Sequence, residues 1–290
     1  MKIFRTLLIA LIFVSTSGLL AQNSEDSLSQ DQIRELIRQS ADRFINSNKA
    51  RRNYTYIERD ETHKLNGKGE VKSTEIQTHE VMFLYEEPVW KLIAKDDKPL
   101  PEKDAKKEDE KLQKIIDKRK SESEDDRKKR TEKEEKQHDE IQKFVNEIPD
   151  AYNFRLANME NFEGRETYVI DADPRADFQP QRKEAKMLPK FRFRVWIDKA
   201  EKQWVKIDIQ CIDTVSVGLF LARIHKGTNI QIERTRVNDE VWLPKHITLK
   251  LDARIVLLMG LNLTEDITYR DYKKFRTDTI IVPLGEVQEH

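Results

Sequence analysis

"RFRVWIDKAEKQWVKIDIQ", residues 192–210, alternates in twos. Counted from the preceding residue, Phe191, Phe193, Val195 and Ile197 share one side, with Arg192, Arg194, Trp196 and Asp198 on the other. After a polar break, Val205, Ile207, Ile209 and Cys211 share a side opposite Trp204, Lys206, Asp208 and Gln210. A period of two marks a strand with one buried face. Two such runs around "DKAEK" read as an antiparallel hairpin with one apolar face. With Ala200 at the centre of the turn, Val195 falls opposite Val205, Phe193 opposite Ile207 and Phe191 opposite Ile209. Trp196 then faces Trp204, and Arg192 faces Asp208, on the more polar side, where a helix is expected to cover the tryptophans. Opposed pairs of this kind contribute about 0.2–1 kcal/mol each. The functional question is what the apolar face covers: a packed core, a membrane-derived guest or an active site.

Outward from the hairpin the pattern is mostly strand. "NYTYIERDETHKL", "VKSTEIQTHEVMFLYEE" and "VWKLIA" precede it, and the Asn66-Gly67 pair between the first two is a hairpin signal. "YNFRLA", "ETYVIDA", "TNIQIERTRV", "EVWLPKHITLKLDARIVLL" and "LTEDITYRDYKKF" complete the set, with turns at Glu163-Gly164, Lys226-Gly227 and Asn238-Asp239. "LSQDQIRELIRQSADRFINS" reads as a helix. Ile33, Leu36, Ile37, Ala41, Phe44 and Ile45 repeat at helical spacing, Ser29 and Gln32 have capping-box spacing, and Leu28 with Ile33 fits a hydrophobic staple. Its single apolar stripe is expected to lie on a sheet. The class is therefore α+β: a large antiparallel sheet with helices on one side, which must curl at this number of strands and so enclose a hollow. "VSVGLFLARI" and "ARIVLLMGLNL", with Gly218 and Gly260, are apolar on both alternations. Strands buried on both faces fit this, one face lining the hollow.

Residues 102–140 differ sharply. About three quarters are charged, both signs nearly equal, with neither glycine nor proline. Leu112, Ile115 and Ile116, then Ile141, Phe144, Val145 and Ile148, give short apolar stripes. Two helices are expected over about 102–148, with a weak point at "SESEDD", Ser123 capping the second and Pro149 ending it. Such a run is either a solvated arm held by charge pairs four apart or a lid or partner-docking arm. At the other end, Lys2 and Arg5, the apolar "TLLIALIFV" and the small, polar "STSGLLA" have the order of a secretory signal peptide, with Ala21 the last residue removed. Residues 22–290 are then read as one domain in the periplasm. The single cysteine, Cys211, excludes both an internal disulfide and a lipobox anchor, and its place on the apolar side reads as a small core hydrophobe.

Charge balances at 53 basic against 53 acidic residues, which argues against a nucleic-acid partner. There is no G-x-S-x-G elbow, no phosphate-binding G-x-x-x-x-G-K-[ST] loop and no H-E-x-x-H helix. His63, His79, His138, His225 and His246 are scattered. His63 and His79 are not opposite each other in the first hairpin and read as polar strand positions facing solvent. No catalytic residue, metal ligand or cofactor is assigned, and an enzyme is not expected.

"YVIDADP", "RFRVWIDKAEKQWVKIDI" and "VWLPKHITLKL" together resemble the bacterial outer-membrane lipoprotein-sorting family, the LolA-like proteins. In that family a strand ending in "WID" turns into one carrying "VKI", and a later W-x-P strand returns across the sheet. The likeness covers mainly residues 167–275 plus the helix-then-strands start at Ser29. It implies a curved antiparallel half-barrel closed by helices, whose apolar concave face holds acyl chains, while related half-barrels bind a lipid and a membrane partner to sense envelope stress. The charged run departs from the carrier pattern. On this reading Phe191, Phe193, Val195, Val205, Ile207, Ile209, Leu249 and Leu251 line the ligand face. Phe178 and Met187, among basic residues in "RADFQPQRKEAKMLP", sit at its rim or in an ordinary solvated loop. The partner is a lipid or acylated lipoprotein, bound by a monomer; alternatively the charged arm docks an envelope protein and the hollow is only a side-chain core.

Overall fold

The computed structural model describes residues 28–85, 87–217, 222–255 and 260–275. The expected signal peptide and the middle of both doubly apolar stretches lie outside them. The first helix, α1 (Gln30–Ala50), starts as its sequence dictates. The Ser29 hydroxyl accepts from the Gln32 amide at 3.2 Å, and the Gln32 side chain accepts from the Ser29 amide at 2.8 Å. Ile33, Leu36 and Ile37 form its buried stripe.

Strands β1 (Tyr54–Leu65), β2 (Val71–Leu84), β3 (Glu87–Lys95) and the two-residue β4 (Lys98–Pro99) follow. The β1–β2 turn is held by Asn66, whose side-chain oxygen accepts from the Lys68 and Glu70 amides at 2.8 and 3.0 Å, with Gly69 at φ 81°. Helices α2 (Glu102–Lys120) and α3 (Glu124–Ala151) come next, then β5 (Tyr152–Phe162) and β6 (Arg165–Pro174). A 3-10 turn, Glu184–Lys190, leads into β7 (Phe191–Asp198) and β8 (Trp204–Cys211). Short β9 (Val215–Val217) and β10 (Ala222–Ile224), then β11 (Asn229–Val237), β12 (Val241–Ile255) and β13 (Gly260–Lys274), complete the chain.

Among the described residues thirteen strands form one open sheet in the order β4-β3-β2-β1-β13-β12-β11-β8-β7-β6-β5, with β9 and β10 branching from β12. Its pairings are antiparallel, so the α+β architecture read from the sequence is the one observed. The two edges, β3–β4 and β5, are joined by α2 and α3. At about 1.5 Å per residue the 28 residues of α3 reach roughly 42 Å. The break between the two helices is where it was expected, and the Ser123 hydroxyl accepts from the Asp126 amide at 3.2 Å. Pro149 does not end α3. The helix runs on to Ala151, because Pro149 and Ala151 are both packed into the core and that packing holds the last turn.

The arm is not free along its length. Leu112 and Ile116 of α2 pack on Met82, Leu84 and Val89 at the β2–β3 edge, flanked by Lys91–Asp109 at 2.5 Å and the Arg119–Glu87 pair. Arg130 of α3 donates to the Tyr85 carbonyl at 2.8 Å and pairs with Glu122 at 3.0 Å. At its far end Arg38 of α1 meets Asp150 at 3.9 Å.

In the β7–β8 hairpin the register differs from the expected one by two residues. Phe193 is opposite Ile209, Val195 opposite Ile207, Phe191 opposite Cys211 and Arg192 opposite Gln210. A bulge then leaves Val205 without a partner, so Trp196 is opposite Lys206 and Ile197 opposite Trp204. The tryptophans therefore part. Trp204 packs on Phe44 of α1, ring centroids 5.2 Å apart, while Trp196 lies on the outer face beneath the Lys206 ammonium and donates to Glu160.

Candidate functional site: the inner face of the sheet

Directly opposed residues share a face, so the pairings trace what one face presents from edge to edge. One row runs Phe154, Ala172, Phe193, Ile209, Ile230, Leu249, Glu265, Thr62, Glu75. The next runs Leu156, Ile170, Val195, Ile207, Ile232, Ile247, Ile267, Asp60, Gln77. A third places Tyr269, Glu58, His79 and Leu92 together. This is the face that carries α1, and its character changes twice along each row.

At the β5–β7 end it is a side-chain core. Phe154, Ile170, Ala172, Val195 and Ile197 are buried under Ile33, Leu36 and Ile37 of α1 and under Ala185 and Leu188 of the 3-10 turn. Phe193 meets Tyr152 at 4.8 Å and Phe154 at 6.3 Å between ring centroids. In the middle, Ile209, Ile230, Ile232, Ile247, Leu249, Leu251 and Ile267 are half-buried and belong to none of the described buried clusters. At the β13–β2 end the rows become polar: Glu265, Asp60, Glu58 and His79. The outer face of the same strands is a charge ladder, with Arg194 2.6 Å from Asp171, itself paired to Arg155.

The eight residues assigned to a ligand face thus have different surroundings. Val195 is buried in the core, and Phe193 and Ile207 pack against that core. Val205 is the buried bulge residue and Phe191 is half-buried opposite Cys211. Ile209, Leu249 and Leu251 lie on the half-buried middle stretch. Phe178 packs on the α1 core and, with Glu147, Asp150 and Arg175, lines a polar cleft of about 210 Å³; Met187 lies in the 3-10 turn. Cys211 is buried, and burial pushes its thiol up, as suits a core hydrophobe. His63 and His79 do lie opposite Thr74 and Glu58 rather than each other, but His79 is half-buried on the inner face instead of solvent-facing.

The polar end was missed in the sequence, although its parity was visible: Leu263, Glu265, Ile267 and Tyr269 alternate on one side. Burial raises Glu265 to about 7, with Asp60 adding by charge and hydrogen bond and Glu58 by charge. Burial likewise raises Glu58, opposed by a 3.1 Å hydrogen bond from the Trp90 indole, and lowers His79. A carboxyl whose folded pKa lies above its ordinary value supports the fold below that value and withdraws the support as pH rises through the folded pKa. The window here runs from 4.5 to about 7. Glu265→Gln should therefore raise the melting temperature at about pH 8 and change it little at about pH 4. Equal shifts at both pH values in thermal melts would refute this account.

Among the described residues no three His, Cys, Asp or Glu side chains form a metal-sized group, and no helix is long and apolar enough to cross a membrane. Fold and face together define an open half-barrel with an apolar inner stretch bounded by carboxyls. No protein-family model and no curated protein matches the chain. Among solved structures it is similar to a LolA superfamily protein from Nitrosomonas europaea, at 10% identity and TM-score 0.32, covering 86% of this chain and 95% of that one. It is also similar to a DUF1329 family protein from Desulfovibrio piger, at 9% identity and TM-score 0.33, covering 86% and 94%. The complex of MucA and MucB from Pseudomonas aeruginosa matches at 10% identity and TM-score 0.23, covering 82% and 93%. At these values the likeness carries no functional argument.

Proposed function

We infer that the protein is an exported, periplasmic binding protein that holds the acyl part of a lipid or lipoprotein on the middle of its inner face, without catalysing a reaction. The observation that carries this reading is the run Ile209, Ile230, Ile232, Ile247, Leu249 and Ile267. These are large apolar side chains on adjacent strands, half-buried and outside every described buried cluster. A sheet face of this kind is stabilised by covering it, at roughly 0.8 kcal/mol per methylene transferred from water. The α2–α3 arm, tied at both ends and joining the sheet edges, then acts as a strap beside the opening.

The test uses N-phenyl-1-naphthylamine, an uncharged probe that fluoresces when taken up in apolar surroundings. Wild type should bind it, and Ile247→Asp should weaken binding about tenfold or more while keeping its circular dichroism spectrum. Mass spectrometry of protein purified from its own envelope should find a lipid or acylated chain in stoichiometric amount. An empty protein that also ignores the probe would end this reading and turn attention to the exposed side of α3, where Ile141 stands 51% exposed, as a protein-docking surface.

A further inference from the structure

The inner face carries a feature that an acyl site does not require: ionisable carboxyls inside the apolar rows. Glu265 sits between Leu263 and Ile267 along β13, opposite Leu249 on one side and Thr62 on the other. Asp60 lies in the neighbouring row, opposite Ile267, and accepts from the Thr62 hydroxyl at 3.1 Å. A guest lying across Leu249 and Ile267 therefore covers Glu265 and abuts Asp60.

We propose that Glu265, set beside Asp60 on the apolar inner face, makes loading of that face pH-dependent: the face takes an apolar guest when Glu265 holds a proton and releases it when Glu265 is ionised. The proposal rests on the inner-face reading above and adds its regulation. The reason is desolvation. A guest strips water from Glu265, and an ionised carboxylate loses far more by this than a protonated one. By linkage, whatever binds the protonated form more tightly is bound more weakly as the proton leaves.

The groups that face the pair do not cancel this. Glu58 on β1 and Glu75 on β2 are further acids. His79 on β2 is disfavoured as a cation by burial, and Tyr269 on β13 is neutral, its hydroxyl pushed up by burial. The strand on the other side, β12, contributes Leu249 and Ile247. Lys64, one position beyond Thr62 on the same side of β1, is exposed. Arg51, from the turn after α1, acts electrostatically on Glu58. Burial raises Glu265 to about 7, which puts the transition in a range an envelope experiences.

Titration of N-phenyl-1-naphthylamine into full-length mature protein at about pH 5.5 and about pH 8 reads the effect, since the probe stays uncharged between them. Wild type should bind about tenfold more tightly at the lower pH, and Glu265→Gln should bind tightly at both. A wild type that binds equally at both pH values, or a Glu265→Gln variant that keeps the full pH dependence, overturns the proposal. The carboxyl carbon of Glu265, followed by NMR without any probe, should titrate with a midpoint near 7. A midpoint in the ordinary carboxylate range overturns it whatever the probe does. If Glu265 titrates near 7 and the probe binds at neither pH, it is the inner-face reading that fails, and pH-dependent loading falls with it.

Discussion

Arg234→Ala should cost about 2–4 kcal/mol of stability, or about 5–12 °C in melting temperature for a chain of this size. Arg234 is 2% exposed. Its guanidinium stacks on Phe44 of α1 at 5.4 Å and on Trp204 of β8 at 4.7 Å from the ring centroids. It also donates to the Trp242 carbonyl of β12. One side chain thus ties the first helix to two strands that are distant in sequence. Among the described residues no carboxylate lies within ion-pair distance, and burial works against its charge, lowering its pKa. The charge is met by the two ring faces, by backbone carbonyl dipoles and by the side-chain amide oxygen of Gln203. That balance has a consequence. Arg234→Met keeps much of the stack and removes the cost of burying a charge, so it should lose less than half of what alanine loses. Urea unfolding of the three proteins measures both effects. An alanine variant within about 0.5 kcal/mol of wild type would show that Arg234 is not a keystone.

The second large effect separates the two regions of the inner face. Ile170 and Ile247 occupy the same row, and both are isoleucines in strand interiors. Ile170 is fully buried beneath α1, so Ile170→Ala should lose about 2–5 kcal/mol through lost transfer energy and a cavity that close packing cannot fill. Ile247 is half-buried and outside the buried clusters. Its truncation should cost under about 1.5 kcal/mol, while weakening uptake of the apolar probe. Comparable stability losses at the two positions would mean that the middle of the face is core like the rest. The hydrophobic face of the hairpin would then cover side chains alone.

Much of the architecture was legible because it depends on neighbours in sequence. The Ser29 capping box, the Asn66 turn, the break at Ser123 and the alternation of β7 and β8 each appear where local chemistry puts them. Register was less legible. The β7–β8 pairing moved by two residues and acquired a bulge at Val205. The turn alone does not specify pairing once a bulge absorbs a residue, and in the observed register Trp204 packs on Phe44. Glu265 and Arg234 could have been suspected from parity, being charged residues on the apolar alternation of "LNLTEDITY" and "NIQIERTRV". Parity could not say that one would meet Asp60 and the other two aromatic rings.

By itself, the sequence determined that this is a large antiparallel sheet with an amphipathic first helix and a charged helical arm, because periodicity and capping are read within a few residues. The tertiary structure alone decided which part of the apolar face is core. Periodicity marks Val195 and Ile247 alike as apolar, and whether a helix comes to lie over them depends on contacts between segments more than a hundred residues apart. The same long-range placement sets Glu265 beside Asp60 and so makes the far end of the face responsive to protons.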